Sequence, residues 1–132
     1  MREIYAGDWE AQPWEQLLEI SDDFKLWRAD IGSSRCTNGE SVAELYERTY
    51  ETVCKIAEQN DGKTVVIATH ATPIRVLEQR ISGRPMSHMK NFPWVGNASV
   101  SEIIYDQGRL CAVKIDQKEH LEHLITDLPT NV

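Results

Sequence analysis

Apolar residues recur on two different periods along this chain, and the switches between them mark its elements. Val42, Leu45, Tyr46, Tyr50, Val53, Cys54 and Ala57 fall at helical spacing and predict a long amphipathic helix. Ser41 and Glu44 stand at its start in a capping-box arrangement, each able to satisfy the other's orphan backbone donor. Asn60-Asp61-Gly62 supplies the stop, with glycine suited to a left-handed cap. A β-branched run, Val65-Val66-Ile67, follows at once and predicts a buried core strand over 64–69. Pro73 suits the first turn of a further helix over 73–81, which Ser82-Gly83 closes.

The flanks carry weaker patterns. Residues 2–5 predict a short strand that runs into a turn at Gly7, and a helix from Pro13 takes Trp14, Leu17, Leu18, Phe24 and Trp27 as its apolar face. Residues 30–39 and 84–97 read as loops from their Gly, Ser, Asn and Pro content. Segments 98–105 and 110–115 predict a hairpin turning around Asp106-Gln107-Gly108-Arg109. A final amphipathic helix is expected over 118–128, with Leu121, Leu124, Ile125 and Leu128 on one face and Pro129 as its stop. Helices alternating with strands, then a late hairpin, predict an α/β layout with one mixed sheet and an antiparallel edge.

Composition narrows the class without naming a function. At 132 residues the chain fits one domain, and 41% hydrophobic with 27% charged residues is ordinary for a globular protein. A net charge of −7 argues against a general electrostatic grip on nucleic acid or acidic membranes, though a local basic pocket for a small anion survives it. Cys36, Cys54 and Cys111 show neither metal-ligand nor redox-motif spacing, and Cys54 reads as plain core. With no apolar stretch of membrane-spanning length and no signal segment in view, reduced thiols and a cytoplasmic setting are the expectation.

The candidate chemistry gathers at His70. A histidine between the end of a core strand and the start of a helix sits where α/β proteins bind ligands, and the helix N-terminus beside it favours anions. An imidazole there can hydrogen-bond a phosphate or move a proton. Polar residues at strand ends also serve simply as helix caps, and position alone leaves both readings open.

Four segments in order resemble the histidine phosphatase superfamily, also called phosphoglycerate-mutase-like. Arg2-Glu3-Ile4-Tyr5-Ala6-Gly7-Asp8-Trp9-Glu10 is similar to that family's L-R-E-I-x-x-G-x-W-E segment. Gly39-Glu40-Ser41 resembles its G-E-S helix start, and the stretch from Val65 through His70 to Arg75 its second-histidine motif, V-x-x-H-G-x-x-I-R. Asn97-Ala98-Ser99-Val100 resembles the start of its late strand. The resemblance implies a phosphoryl group transferred to water through phosphohistidine, with no metal or organic cofactor. A histidine in an N-terminal R-H-G motif attacks, arginines and a second histidine hold the phosphate, and a glutamate protonates the leaving oxygen. His70 matches the second histidine and Glu3 the proton donor; Ala71 stands in place of the usual glycine whose N–H binds phosphate. The short segment between the opening motif and Ser41 is more similar to the small broad-specificity phosphatases and the α-ribazole phosphatase branch than to the cofactor-dependent mutases.

The departure from the family lies at its other half. No R-H-G occurs in these residues, His88, His120 and His123 occupy no such motif, and the helix and strand bearing a second phosphate-binding arginine are missing. The expected fold is therefore an α/β, phosphoglycerate-mutase-like mixed sheet flanked by helices, lacking the N-terminal nucleophile strand and the next strand, as a single partial domain over 1–132. One edge of strand 64–69 would then lack backbone partners, a liability relieved by dimerisation, strand exchange between protomers or local repacking. Two functions are expected: phosphomonoester hydrolysis in the intact form, or an inactive remnant that binds phosphate or serves oligomerisation. The expected partners are a small phosphorylated metabolite or phosphate and a second copy of the chain, with neither nucleic acid nor membrane.

Other residues carry paired readings. The family resemblance places Arg75 in the packing behind the site, where it implies a structural ion pair and not a substrate contact. Arg28 and Arg48 read equally as surface or core-edge residues. Glu119, His120, Glu122 and His123 have a spacing compatible with metal ligation but fit an exposed terminal helix face better, so no metal is expected. Phe92 and Trp94 fit either a pocket mouth or the core.

Overall fold

A computed structural model describes residues 1–125. Its longest element, α3 (Val42–Glu58), begins as the sequence predicts: the Ser41 hydroxyl accepts from the Glu44 N–H while the Glu44 carboxylate accepts from the Ser41 N–H. The next helix, α4 (Ala71–Ser82), starts after His70 in extended backbone and ends at Gly83, whose φ of 68° is the left-handed cap that glycine tolerates best. The two helices pack against each other.

Upstream, the single helix expected from Pro13 is two: α1 (Trp14–Ile20) and α2 (Asp22–Ala29). Ser21 divides them. Its backbone is extended, and its hydroxyl accepts from the Phe24 N–H, so it caps a new helix instead of continuing the old one. The corner lets Leu17, Phe24 and Trp27 converge on Trp9, whose ring meets Phe24 edge-on at 5.2 Å between centroids. Ile31, Cys36, Val42, Leu45, Val76 and Met89 complete this main core, and burial pushes the Cys36 thiol up to about 11. The expected loops each hold a short 3₁₀ turn, at Ile31–Ser33 and Met86–Asn91.

The hairpin forms as expected, from β1 (Val100–Asp106) and β2 (Arg109–Gln117). Gln107 and Gly108 both have positive φ, as a two-residue hairpin turn of this hand requires. These two strands are the whole sheet among the described residues. Residues 2–5 and 64–69 carry no ladder, which corrects the strands predicted there. At 64–69 no backbone hydrogen bond to another segment forms among the described residues; the segment is met by the Met1 carbonyl, which accepts from the Thr69 hydroxyl at 3.0 Å. Val66 is 92% exposed and Val65 43%, so two valines with core-strand chemistry face solvent. Only Ile67 of that run is packed, against a second, thinner core of Val53, Leu77 and Leu110.

The predicted last helix is also corrected. Glu119–Leu124 is a 3₁₀ run broken at Glu122, where φ is 45°. Residues 126–128 of the expectation lie outside the described residues.

Candidate functional site

The two family-matched site residues meet at the N-terminus of α4. His70 is the residue before the first helical turn; its ring is exposed and its side chain makes no capping bond, which removes the helix-cap reading. Glu3 reaches the same place from the chain's start. One carboxylate oxygen accepts from the Ile4 N–H at 2.7 Å, and the other accepts from the Thr72 N–H at 3.4 Å, within the first turn of α4. An anion at a helix N-terminus is favoured both by unsatisfied N–H groups and by the aligned peptide dipoles.

A stretch without helix or ladder needs other restraints to stay in place. Here residues 2–5 are tied down by Glu40 and Arg48, whose roles the sequence did not disclose. The Arg48 guanidinium donates to the carbonyls of Arg2 and Glu3, at 3.2 Å and 3.1 Å for its closest contacts, and grips the Glu40 carboxylate through two of its nitrogens. Glu40 in turn accepts from the Tyr5 N–H, while its own N–H donates to the Tyr5 carbonyl at 2.7 Å. Burial opposes charge on Glu40, but the hydrogen bonds from Arg48 and Tyr5 outweigh it and hold the carboxyl below its ordinary value. No helical spacing signalled the pairing, because Glu40 lies before the Ser41 cap and both partners are spent largely on main-chain groups.

Two glycines let the strapped segment sit so close. A Cβ on Gly39 would lie 2.4 Å from the Tyr5 carbonyl oxygen, and one on Gly7 would lie 2.2 Å from that of Thr37. Backbone therefore packs directly on backbone between residues 5–8 and 37–40, where the Asp8 N–H also donates to Thr37 at 3.0 Å.

Behind the site, Arg75 lies in the packing, as expected, and is only 2% exposed. Its hydrogen bonds go to carbonyls, not to an acid: it donates to Phe92 and Met89 at 2.9 Å each and to Lys90 at 3.3 Å. Its guanidinium also stacks on Trp94, 4.3 Å from the ring centroid. One buried cation thus holds loop 84–97 against α4, and Trp94 belongs to that support. Burial lowers the Arg75 pKa to about 10. Arg48 proves to be a partly buried paired residue, and the His120 ring lies 3.0 Å from the Ala98 carbonyl. Among the described residues no three His, Cys, Asp or Glu side chains are arranged to hold a metal.

The front of the site is open. A groove of about 1310 Å³ runs from Glu3 and His70 along residues 64–69 on one side, with Gly96–Ala98 and the outer edge of β1 on the other. That exceeds the roughly 300–1,000 Å³ of small-molecule pockets. Both long walls are backbone edges without ladder partners, and His70 is the one histidine lining the groove among the described residues.

These features bring a carboxylate and an imidazole together at a helix N-terminus beside an open groove. The chain belongs to the histidine phosphatase superfamily (branch 1), whose family profile matches residues 1–117. It is 28% identical over 120 residues to phosphoserine phosphatase 1 of Hydrogenobacter thermophilus, covering 90% of this chain and 56% of that protein. It is 24% identical over 119 residues to adenosylcobalamin/alpha-ribazole phosphatase of Escherichia coli, covering 89% and 53%. Among solved structures it is similar to YhfR of Bacillus stearothermophilus, with a TM-score of 0.84 at 24% identity, covering 90% of this chain and 59% of that one. The chain thus spans little more than half the length of the curated relatives it matches. No helix among the described residues is long and apolar enough to cross a membrane.

Proposed function

We propose that residues 1–132 form the acid- and phosphate-holding side of a phosphomonoesterase site, completed by a nucleophile histidine from a segment outside these residues. The observation that carries this is the meeting of Glu3 with the N-terminus of α4 beside His70, at the end of an open groove. His70 and the Ala71 N–H hold the phosphate oxygens, and the helix dipole supports them. The attacking imidazole forms a nitrogen–phosphorus bond as the ester oxygen leaves; Glu3 gives that oxygen its proton, and water then releases phosphate from the phosphohistidine. The substrate is a small phosphorylated metabolite, bound without metal or organic cofactor.

The alternative is phosphate binding without turnover. It is favoured by one fact: among the described residues the groove presents a single histidine, whereas double displacement needs an attacking group besides His70. The open edge at 64–69 also supports a homodimer in a cytoplasmic setting, with an exchanged strand as one form of that pairing. Amide NMR with inorganic phosphate tests the site itself. Shifts centred on His70, Ala71 and Thr72, lost in His70→Ala, are the expected result. Phosphate shifts elsewhere, or none, would refute the assignment.

A further inference from the structure

We infer that Arg48 and Glu40 are a positioning pair whose task is to hold the Glu3 carboxylate over the first turn of α4. This inference rests on reading Glu3 as the proton donor. The geometry distinguishes the pair from an ordinary ion pair on a helix. Arg48 spends its donors on two main-chain carbonyls, those of Arg2 and Glu3, as well as on the Glu40 carboxylate. Glu40 spends its remaining acceptor capacity on the Tyr5 N–H, two residues beyond Glu3. The clamp therefore closes on both sides of Glu3 while leaving its side chain free to reach Ile4 and Thr72.

The surroundings explain why a clamp is needed. Residues 1–5 form no helix and no ladder, and each ordered residue loses backbone entropy that something must offset. Apolar burial there is slight: Met1 and Ile4 are only partly buried, and Arg2 and Tyr5 are exposed. The hydrogen bonds to α3 and to the residue before its cap are the main restraint. Arg48 suits the task because its planar fork can address a carboxylate and carbonyls together; a lysine ammonium has no such geometry. A proton donor displaced by about 1 Å loses roughly a hundredfold in rate, so small slack in this clamp matters.

The Thr72 amide supplies a readout independent of catalysis, because it donates to Glu3. In the wild-type chain, the hydrogen bond to Glu3 should protect the Thr72 amide from solvent exchange, and Glu3→Ala should remove that protection. Arg48→Met is expected to lower the Thr72 protection, and Arg48→Lys to restore part of it. A folded Arg48→Met chain with unchanged Thr72 protection would overturn the inference. If Arg48→Met fails to fold, Glu40→Gln is read in the same way: weakened protection supports the clamp and unchanged protection overturns it.

Inorganic phosphate separates positioning from general support. Phosphate shifts at His70 and Ala71 that persist in Arg48→Met while the Glu3–Thr72 coupling is lost support a role confined to Glu3. Loss of both together would show that Arg48 only holds the fold, and overturns the inference. Absence of phosphate shifts in the wild-type chain would refute the site reading itself, with the clamp still decided by the Thr72 amide exchange.

Discussion

Replacing Glu78 with glutamine should stabilise this protein at alkaline pH and leave it unchanged at acid pH. Glu78 lies on α4 one turn beyond Arg75, is 8% exposed, and has a carboxyl oxygen buried without a hydrogen-bond partner. Burial, helped by the charge of Asp116 and opposed by Arg75, raises its pKa from 4.5 to about 7. Because the folded-state value is the higher one, the native chain binds more protons than the unfolded chain between those two values. Stability therefore falls as pH rises through that window, and above it the native state carries the full cost of an ionised buried carboxylate. At 1.36 kcal/mol per unit the shift corresponds to about 3 kcal/mol, which residual solvent contact reduces to about 2 kcal/mol. Glutamine has the same shape and no charge. Urea unfolding of both proteins at pH 4, below the unfolded-state value, and at pH 8.5 should give a difference near zero at the lower pH and about 2 kcal/mol in favour of Glu78→Gln at the higher. A difference that is the same at both pH values, or a variant less stable at pH 8.5, would refute the reasoning.

Other perturbations follow from the same contacts. Arg75→Met strands three carbonyls of loop 84–97 and should cost about 3 kcal/mol, read by urea denaturation followed through Trp94 fluorescence. Gly39→Ala drives a methyl group to 2.4 Å from the Tyr5 carbonyl oxygen; it should cost about 3 kcal/mol or more in thermal unfolding and release the segment carrying Glu3. Val66→Lys replaces a side chain that is 92% exposed, so stability should change by less than about 0.5 kcal/mol, while self-association measured by sedimentation should fall.

The parts of this fold that were readable in the sequence are those governed by local chemistry. The Ser41–Glu44 box, the Gly83 cap and the Gln107-Gly108 turn each require only near neighbours, and α3, α4 and the hairpin lie where periodicity places them. The break at Ser21 was missed because a serine inside an apolar period can point to solvent or cap a new helix, and burial of Trp27 against Trp9 favours the cap. The run at 64–69 has strand composition and no strand, because a ladder needs a second backbone that no property of Val65 or Val66 can supply. At the site, His70 and Glu3 were identified by motif, and the structure places both at α4. The clamp of Glu40 and Arg48 and the support from Arg75 depend on contacts with backbone carbonyls, which leave no side-chain pattern to read.

If these residues hold one side of a phosphatase site, turnover requires an attacking histidine besides His70. The most direct measurement is hydrolysis of a generic phosphomonoester by the purified chain, alone and with an added segment carrying the family's R-H-G motif. The expected result is no turnover from the chain alone, turnover with the segment present, and loss of that turnover in His70→Ala and in Glu3→Gln. Turnover by the chain alone, or turnover with the segment that is indifferent to both substitutions, would contradict it.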